Sequence, residues 1–558
     1  MRRVSLLAAL AALTAVAAAP RAAAPPADRI LVNGRIWTAD PRRPRAEAIA
    51  LAGDLVMAVG TDAEVRRLAG PSTVTVDLRG RFVAPGFNDA HLHFLVVQTV
   101  DLSGALDVPE LQARIRAYAT AHPDRPWVTG RGWAYGSFPG GMPHRRWLDE
   151  VVSDRPALMG GYDGHTAWAN SKALALAGIT RETPDPEHGA IVRDESGEPT
   201  GALKEAAVRL VRRHVPEPTD AERYEGLKKR LDQAASYGLT SVQNASFPVA
   251  DLPAYERVLA ENGLKVRFYS ALPLVKDIAP EELARYKAMR AKYVGPVFKF
   301  GAVKGFVDGV VESKTAAMLE PYAGGGGSGE PLWTAEDLDR TVAFYDREGF
   351  QIWLHAIGDR AIRMALDAYQ RAEKLNAASG RRHRIEHIEA PARVDIARFK
   401  PLGVIASTQA LFATPDQNTL EVYAVALGPD RAKRAMAFRS LDEAGATQAF
   451  GSDSPVFSME VLRGIHCAVT RTTPEGTPAG GWQPHERITA EAALRHFTRD
   501  AAYASFEEQR KGTLSAGMLA DLVVLSDDIV AAPPERLLKT RVLLTVMGGR
   551  DTYRAGDF

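Results

Sequence analysis

The chain has 558 residues, a formal net charge of +1, 46% hydrophobic residues and 25% charged residues. These values are typical of a globular protein with one large domain or several domains, and the balanced charge gives no reason to expect a nucleic-acid partner. The single cysteine, Cys467, excludes an intrachain disulfide, and its apolar surroundings favour a packing role over a nucleophilic one.

The N-terminus carries a targeting pattern. Met1-Arg2-Arg3 precede an apolar, alanine-rich run that ends in AAAPPAD. A basic start, an apolar stretch and small residues are typical of a signal peptide, and a retained membrane anchor is the alternative, although the run is short for a membrane span. We expect residues 1–27 to be a signal peptide with a short linker. The mature protein would be exported, periplasmic or secreted, and would have no stable membrane span.

The two ends of the remaining chain are rich in short β-branched runs and tight turns. RILVNGRIWTAD and STVTVDLRG lie near the start, and GMLADLVVLSDD and TRVLLTVMGG lie near the end. Such runs, separated by Asn-Gly and Gly-Asp turns, predict antiparallel strands. We therefore expect residues 28–84 and 505–558 to form one composite β-sandwich domain.

Between these ends, apolar strand-like runs alternate with helical segments such as residues 334–349. Alternating β and α units predict an α/β fold with a parallel sheet, and eight strands indicate a (β/α)8 TIM barrel over residues 85–504. The candidate strands are VAPGFNDAHLHF (83–94) and residues 238–246, 265–273, 297–309, 350–359, 383–389, 404–409 and 447–453.

One interval is too long for a single βα unit. Residues of about 100–236 are irregular and rich in Pro, Gly and Trp, and we interpret them as an insertion after strand one that covers the barrel mouth. A second irregular tract, YAGGGGSGEP (322–331), lacks the Gly-Lys-Ser/Thr ending of a phosphate-binding loop. A flexible lid or connector is therefore the expected role of that tract.

Metal-ligand residue types end several of the predicted strands. His91 and His93 lie one residue apart, so they share one face of strand one. His355, His387 and Asp453 each follow an apolar run, and a barrel has about 30 residues per βα unit. That repeat places the last three at the ends of strands five, six and eight. Because strand ends at the carboxyl face of a barrel meet around one site, the five residues form a candidate metal centre.

Strand four adds a lysine to this set. Lys304 and Asp308 share one face of the strand, whereas Lys299 lies on the other. An ammonium repels cations, but a neutral lysine can react with carbon dioxide to give a carbamate that binds metal, and burial beside cations favours the neutral amine. A solvent-reaching or Asp308-paired lysine is the equally open alternative at this stage.

Several motifs together resemble the amidohydrolase superfamily. VAPGFNDAHLHF, VKGFVDG, LHAIGD, RIEHIE and GSDSP carry the resemblance, and DGHTAWANSKAL and EPTGALKE extend it into the insertion. The match is to the branch of YtcJ-type proteins and N-substituted formamide deformylases (amidohydrolase family 3). It implies a TIM barrel with a composite β domain. It also implies a metal site, with zinc the expected metal, one or two ions per chain and a carbon-dioxide-derived carbamate on Lys304. The implied metal ligands are His91, His93, Lys304, His355, His387 and Asp453.

The activity implied is hydrolysis of a carbon–nitrogen bond in a small molecule, such as an amide, formamide or N-acyl bond. Metals lower the pKa of bound water toward ~7, which makes hydroxide available, and Asp453 would act as general base and then general acid. We expect His165 to contact the substrate carbonyl, with a structural hydrogen bond as the alternative. Trp133 and Asp308 are further substrate-binding candidates, and packing is the alternative for Trp133.

Three other functions remain open. A deaminase of the same superfamily typically carries a glutamate three residues after the strand-five histidine, where this chain has Gly358. An esterase could use the same nucleophile, and a non-catalytic binding protein could keep the fold. The identity of the substrate and the oligomeric state, including a homodimer, stay undecided by the sequence.

Overall fold

The computed structural model describes residues 25–94, 99–378 and 380–558. Its centre is an eight-stranded sheet in which neighbours in the chain are neighbours in space and pair in parallel. The predicted strand order is confirmed. The barrel strands one to eight are Phe87–Leu92, Leu239–Asn244, Arg267–Pro273, Phe298–Phe306, Gln351–Ala356, Arg384–His387, Ile405–Gln409 and Gln448–Gly451.

The first and last barrel strands meet at the carboxyl end of the sheet. The backbone N–H of Asp453 donates to the carbonyl of His91, and the N–H of His93 donates to the carbonyl of Ser454, both at 2.7 Å. Close approach is possible because Gly451 lacks a side chain: a Cβ there would lie 2.5 Å from the backbone nitrogen of His91. The sheet is thereby nearly closed into the predicted TIM barrel, and the closure lies beside the candidate ligands.

Helices follow the strands as the sequence pattern predicts. The helix expected over residues 334–349 spans Ala335–Arg347, with Thr334 as its N-cap accepting from the N–H of Asp337. The principal barrel helices are Asp220–Ser236, Leu252–Ala260, Pro280–Lys292, Ala335–Arg347, Asp359–Asn376, Arg393–Ile396, Phe438–Glu443 and Val461–Thr470. The chain between the last two strands also forms the short helices Ala410–Ala413, Asn418–Tyr423 (a π-helix), Ala424–Leu427 and Pro429–Ala432. Beyond strand eight lie Pro484–Glu486, Ala490–His496, Arg499–Ala504 and Pro534–Lys539.

The two chain ends share a second structural unit. Strand Phe82–Pro85 pairs antiparallel with Leu522–Leu525, which joins the beginning and the end of the chain in one sheet. The strands of that sheet are Arg35–Trp37, Arg45–Ala46, Phe82–Pro85, Leu522–Leu525, Val542–Met547 and Arg550–Arg554. A second sheet completes the unit, and its four strands are Ala27–Val32, Ala48–Ala52, Leu55–Gly60 and Ala69–Asp77. Helix Asp62–Arg66 lies between the last two of these strands in the chain. Buried apolar side chains such as Leu31, Ile49 and Val524 form one cluster drawn from both sheets.

Residues between barrel strands one and two form a sheet of their own. Its strands are Val100–Asp101, Val128–Trp133, Ala157–Gly161, Thr166–Ala169, Gly189–Arg193 and Pro199–Glu205. The helices of this insertion are Val108–Ala121, Tyr135–Ser137, Pro139–Gly141, Arg145–Asp149, Ser171–Leu176 and Val208–Arg212, and Val249–Asp251 follows barrel strand two. Tyr162, Asp163 and His165 of the insertion are among the residues that line the cavity at the carboxyl end of the barrel.

The glycine-rich tract 322–331 is held by specific contacts. The N–H of Tyr322 donates to the carbonyl of Gly327, and Lys314 Nζ donates to the carbonyl of Gly325. The expected signal peptide falls almost wholly on residues 1–24, outside the described residues. Among the helices that the structure describes, none is both long and apolar enough to cross a membrane.

Candidate metal centre and active site

Three of the predicted ligands converge at the closure of the barrel. His91, His93 and Asp453 each offer one ligand atom, and these atoms lie within 4.8 Å of one another. Asp453 Oδ1 lies 3.4 Å from His91 Nε2 and 3.1 Å from His93 Nε2. Although burial opposes ionisation, the neighbouring imidazoles hold the pKa of Asp453 well below its usual value. Asp453 is therefore a carboxylate aimed at two imidazole nitrogens.

His91 is oriented by a buried acid that the sequence analysis did not single out. Glu386 contacts His91 Nδ1, which leaves Nε2 facing Asp453. Arg384 holds Glu386 through two hydrogen bonds of 2.8 and 3.0 Å, and it stacks on Trp353. A carboxylate that fixes the second nitrogen of a histidine is a recurring partner of metal ligands. The signal was present in RIEHIE as an acid on a fully buried strand.

His355 and His387 form the other half of the candidate centre. Their ring centroids lie 4.5 Å apart, and the ring of His387 lies 4.9 Å from that of His91. His387 Nδ1 hydrogen-bonds Gln409 Oε1 at 2.9 Å, and His355 Nε2 lies 3.1 Å from the carbonyl oxygen of Gly309. Burial lowers the pKa of both imidazoles well below the usual value. Both rings are therefore neutral, which is the form that binds a metal.

Lys304 lies on barrel strand four, inside the barrel. It is 3% exposed, its Nζ has no hydrogen-bond partner in the described part of the chain, and that Nζ lies over the Phe306 ring, 4.9 Å from its centroid. Burial lowers the pKa of Lys304 to about 8, against the attraction of Glu386 and Asp453. The expected alternative, an ion pair with Asp308, is not formed between these described residues.

The arrangement fits a divalent cation. His91 Nε2, Lys304 Nζ and Asp453 Oδ1 are all buried and, within the described residues, lack hydrogen-bond partners. Buried polar atoms without partners are costly unless a ligand satisfies them. Imidazole nitrogens and a carboxylate are the donors that zinc and related ions prefer. His91, His93 and Asp453 could hold one ion, and His355, His387 and a modified Lys304 could contribute to a second.

Backbone conformation at the site supports a functional role. His387 has a φ angle of 78° and Asp453 has one of 55°. Both lie in the left-handed region, which residues other than glycine rarely adopt. Strained backbone of this kind concentrates at active sites, where the surrounding structure enforces it. At Asp453 the enforcing contact is the hydrogen bond to the carbonyl of His91 described above.

A cavity opens onto this centre. It measures about 610 Å³ including its open mouth, and four of the candidate ligands, His93, His355, His387 and Asp453, are among its lining residues. Other lining residues come from the insertion, the loop after strand four, the π-helix Asn418–Tyr423 and the segments that follow strands five, six, seven and eight. Such a concave, partly aromatic chamber beside reactive groups is the expected form of a small-molecule site.

His165 is one of the residues that line this cavity. Its ring centroid lies 5.1 Å from that of His355, and its Nδ1 bonds Glu205 Oε2 at 2.9 Å. The other Glu205 oxygen accepts from the hydroxyl of Thr315 at 2.7 Å. Burial disfavours the charged ring, but the attraction of Glu205 prevails and raises the pKa of His165 to about 9. Glu205, which ends the EPTGALKE motif, is a second residue that sequence reasoning missed.

Two substrate-binding candidates lie outside the cavity lining. Trp133 is fully buried in the core of the insertion, where its Nε1 donates to the carbonyl of Met159 at 2.8 Å. Asp308 accepts three backbone N–H bonds, from Ala317, Ile357 and Gly358. Both residues therefore organise structure around the site, and we correct their expected role: packing explains Trp133, and loop anchoring explains Asp308.

Comparison with known proteins agrees with this geometry. A family model described as an amidohydrolase family matches residues 74–553. Putative amidohydrolase YtcJ of Bacillus subtilis (strain 168) is 30% identical over 93% of this chain and 98% of its own length. N-substituted formamide deformylase of Arthrobacter pascens is 28% identical over 94% of this chain and 97% of its own length. Protein LONG AFTER FAR-RED 3 of Arabidopsis thaliana is 33% identical over 94% of this chain and 92% of its own length.

A solved structure shares the whole architecture. The uncharacterized metal-dependent hydrolase of Pyrococcus horikoshii OT3 superposes with a TM-score of 0.71 at 25% identity, covering 91% of this chain and 99% of that one. The sequence matches and the superposition both extend over the barrel, the insertion and the composite β unit. The chain therefore belongs to the amidohydrolase family.

Proposed function

We propose that this protein is a metal-dependent hydrolase that cleaves a carbon–nitrogen bond of an amide, formamide or N-acyl group in a small molecule. The observation that carries the proposal is the convergence of His91, His93 and Asp453, with ligand atoms within 4.8 Å, at the carboxyl end of the barrel. Similarity to an N-substituted formamide deformylase supports the choice of bond. Esterase activity is the alternative within the family.

Asp453 is the proposed proton carrier. A bound divalent cation supplies Lewis acidity and lowers the pKa of a water toward ~7. The Asp453 carboxylate lines the cavity and lies 3.1 Å from His93 Nε2, within reach of a water held at that point. It would take a proton from the attacking water and return it to the departing amine, as general base and then general acid.

His165 is the proposed partner of the substrate oxygen. Its ring faces the cavity, and the Nδ1 contact with Glu205 leaves Nε2 free to donate. A protonated imidazole beside the reacting carbonyl would stabilise the negative charge that develops on the carbonyl oxygen. Glu205 would act as a positioning residue by keeping His165 charged and fixed in orientation.

Carbamylation of Lys304 is the proposed route to a second ion. The reaction with carbon dioxide requires a neutral amine, which the lowered pKa of Lys304 makes available near neutral pH. Its Nζ has no hydrogen-bond partner among the described residues, so addition of the carboxylate breaks no such contact there. Zinc is the proposed metal because imidazole and carboxylate donors suit it.

A deaminase is disfavoured at one specific position. The backbone N–H of Gly358 donates to the Asp308 carboxylate, which fixes the position of this residue. A Cβ at Gly358 would lie 2.1 Å from the carbonyl oxygen of Ala317. No side chain, and therefore no catalytic glutamate, fits at that position. We further propose that the protein is exported, on the sequence pattern of residues 1–27 alone.

The test joins metal analysis to a substrate panel. We expect purified protein to contain one or two divalent ions per chain and to hydrolyse N-formyl or N-acyl amines, with activity removed by a chelator and restored by zinc. Preferred cleavage of matched esters would reassign the bond. Protein that binds no metal and gains no hydrolytic activity on metal addition would contradict the proposal and favour a non-catalytic binding protein.

A further inference from the structure

The cavity wall carries more acid than the proposed chemistry uses. Besides Asp453 and Asp163, Glu312 and Glu389 line the cavity, while neither lysine nor arginine is among its lining residues in the described chain. Asp163 is occupied by the hydroxyl of Tyr135 and the N–H of His165. Glu312 and Glu389 form no ion pair in the part of the chain that the structure describes, so a negative charge on either would have no counterpart among the described residues.

Glu312 lines the cavity, and only one of its two carboxyl oxygens is hydrogen-bonded to other described residues. Its Oε1 accepts hydrogen bonds from the hydroxyl of Tyr162 and from Asn418 Nδ2 at 3.3 Å. Over the described residues, no hydrogen bond from another residue reaches Oε2. Glu312 comes from the loop after strand four, Tyr162 from the insertion and Asn418 from the π-helix. Three separate segments therefore hold one carboxyl group in place at the cavity wall.

A second acid, Glu389, and the hydroxyl of Tyr423 lie at the same cavity wall. Glu389 is 4% exposed and, like Glu312, lines the cavity. The hydroxyl of Tyr423 lies beside Glu389 without a hydrogen bond of good geometry, and this side chain is 2% exposed and lines the cavity. A buried hydroxyl at a cavity wall, without a well-formed hydrogen bond among the described residues, marks a position where a ligand group can bind.

Aromatic rings surround the same wall. The ring centroids of Phe412 and Phe457 lie 5.1 Å apart, and the Tyr162 ring lies 6.1 Å from that of Phe457. Aromatic faces attract cations, and a desolvated carboxylate attracts them more strongly. A positively charged nitrogen group would satisfy Glu312 Oε2 and lie against these rings.

We propose that Glu312, flanked by Glu389, binds a positively charged nitrogen group of the substrate, such as an alkylammonium or guanidinium. The inference rests on the proposed function, because the same cavity would hold the bond to be hydrolysed. Burial and the repulsion of Asp163, opposed by the Tyr162 hydrogen bond, raise the pKa of Glu312 to about 7. Ionisation of Glu312 is therefore costly in the free protein, and a substrate cation would remove that cost.

Binding tests the acidic subsite without any turnover. Calorimetric titration of the metal-loaded full chain would compare hexylguanidinium with hexylurea, a neutral compound of the same shape. We expect hexylguanidinium to bind at least about tenfold more tightly, the difference that a charge-assisted hydrogen bond provides. Glu312→Gln should abolish this preference, and Glu312→Asp should keep part of it. Equal binding of the two compounds, or an unchanged preference in Glu312→Gln, would overturn the inference.

Glu421→Gln is the matched control for long-range charge. Glu421 lies on the same π-helix as Asn418 but is exposed and does not line the cavity, so its removal should leave the preference intact. A loss of preference in this control as large as in Glu312→Gln would assign the effect to general electrostatics and overturn the subsite.

Turnover separates the inference from the proposed function. N-formylcadaverine and N-formylhexylamine differ in a terminal ammonium, and we expect the first to show the higher kcat/KM, with the ratio lowered in Glu312→Gln. Hydrolysis of both compounds at equal efficiency would contradict the cationic subsite and keep the hydrolase. Hydrolysis of neither would count against the proposed bond specificity, while the guanidinium titration would still decide the subsite.

Discussion

Lys299 and Lys304 lie on the same barrel strand, and burial lowers the pKa of each to about 8. Lys299 donates to the carbonyl of Ser505 at 2.8 Å and lies 3.3 Å from Glu507, which also pairs with Lys511 at 2.8 Å. Lys304, five positions on, has no hydrogen-bond partner within the described chain. The difference teaches that buried charged groups at the amino end of the barrel pair with one another. At the carboxyl end, the buried amine of Lys304 is left without a partner among the described residues and can interact with a bound ligand. The carboxyl end is the one at which the barrel architecture places active sites.

The contrast extends to the carboxylates. Glu507 at the amino end pairs with two lysines, whereas the ion-pair contacts of Asp453 at the carboxyl end are, within the described residues, with imidazoles. The largest effect should therefore follow from Asp453→Asn, which we expect to retain most of the metal and to lower kcat by roughly 10²–10⁴-fold, the contribution of general acid–base catalysis. Metal analysis and steady-state kinetics on the same preparation would measure both quantities.

Asp430→Asn, a change at an exposed helix start away from the cavity, is the control for Asp453→Asn and should match the wild-type protein. If Asp453→Asn turned over substrate at the wild-type rate with its metal retained, Asp453 would be a ligand without a proton-transfer role.

Exchanging each lysine tests the comparison directly. We expect Lys304→Met to lower the metal content and to reduce turnover by on the order of 100-fold, because a metal ligand is lost. Lys299→Met should leave the metal content unchanged and lower the melting temperature, because Glu507 loses a partner. Elemental analysis and thermal unfolding would be measured on both variants. Identical metal content and melting temperature in the two variants would contradict the comparison. Separately, a native mass spectrum of the wild-type protein without the added mass of carbon dioxide on Lys304 would exclude the carbamate.

Glu386→Gln tests whether the Glu386 carboxylate orients His91 for metal binding. The change keeps the volume but removes the charge that fixes His91 Nδ1. We expect a loss of metal affinity of about 10–100-fold, as found when a partner of a ligating histidine is removed. Competition with a chelator would measure the affinity. Retention of full affinity would show that the strand alone orients His91.

Glu507→Gln should give the smallest effect, confined to stability and dependent on pH. The two lysines, opposed by burial, lower the pKa of Glu507 to about 2, below the ~4.3 of an unfolded glutamate. Its ionic contribution is therefore present above pH ~4.3 and is lost as the pH falls through about 2. We expect the variant to lose up to about 3 kcal/mol at neutral pH and to approach the wild-type stability in acid. Denaturant unfolding across this range would measure the difference, and a difference independent of pH would contradict the charge-based origin.

The sequence predicts the site as far as local patterns reach. His91 and His93 are recognisable because alternation places them on one face, and His355, His387 and Asp453 because each ends an apolar run in step with the barrel repeat. Glu386, Glu205 and Glu312 were not predicted. Their partners lie far away in the chain: 295 residues separate Glu386 from His91, and 150 separate Glu312 from Tyr162. No periodicity in one segment reports on a contact of that kind.

By itself, the sequence determined the barrel, its strand order and the residue types at the strand ends, because hydrophobic alternation and turn residues act locally. Only the tertiary structure decided which buried groups find partners. It places Lys299 against Glu507 and leaves Lys304 without a partner in the described chain. It moves Trp133 and Asp308 from the cavity into supporting roles, and it joins three distant segments around Glu312. The physical reason is that the cost of a buried charge depends on what surrounds it, and the surroundings exist only after the chain has folded.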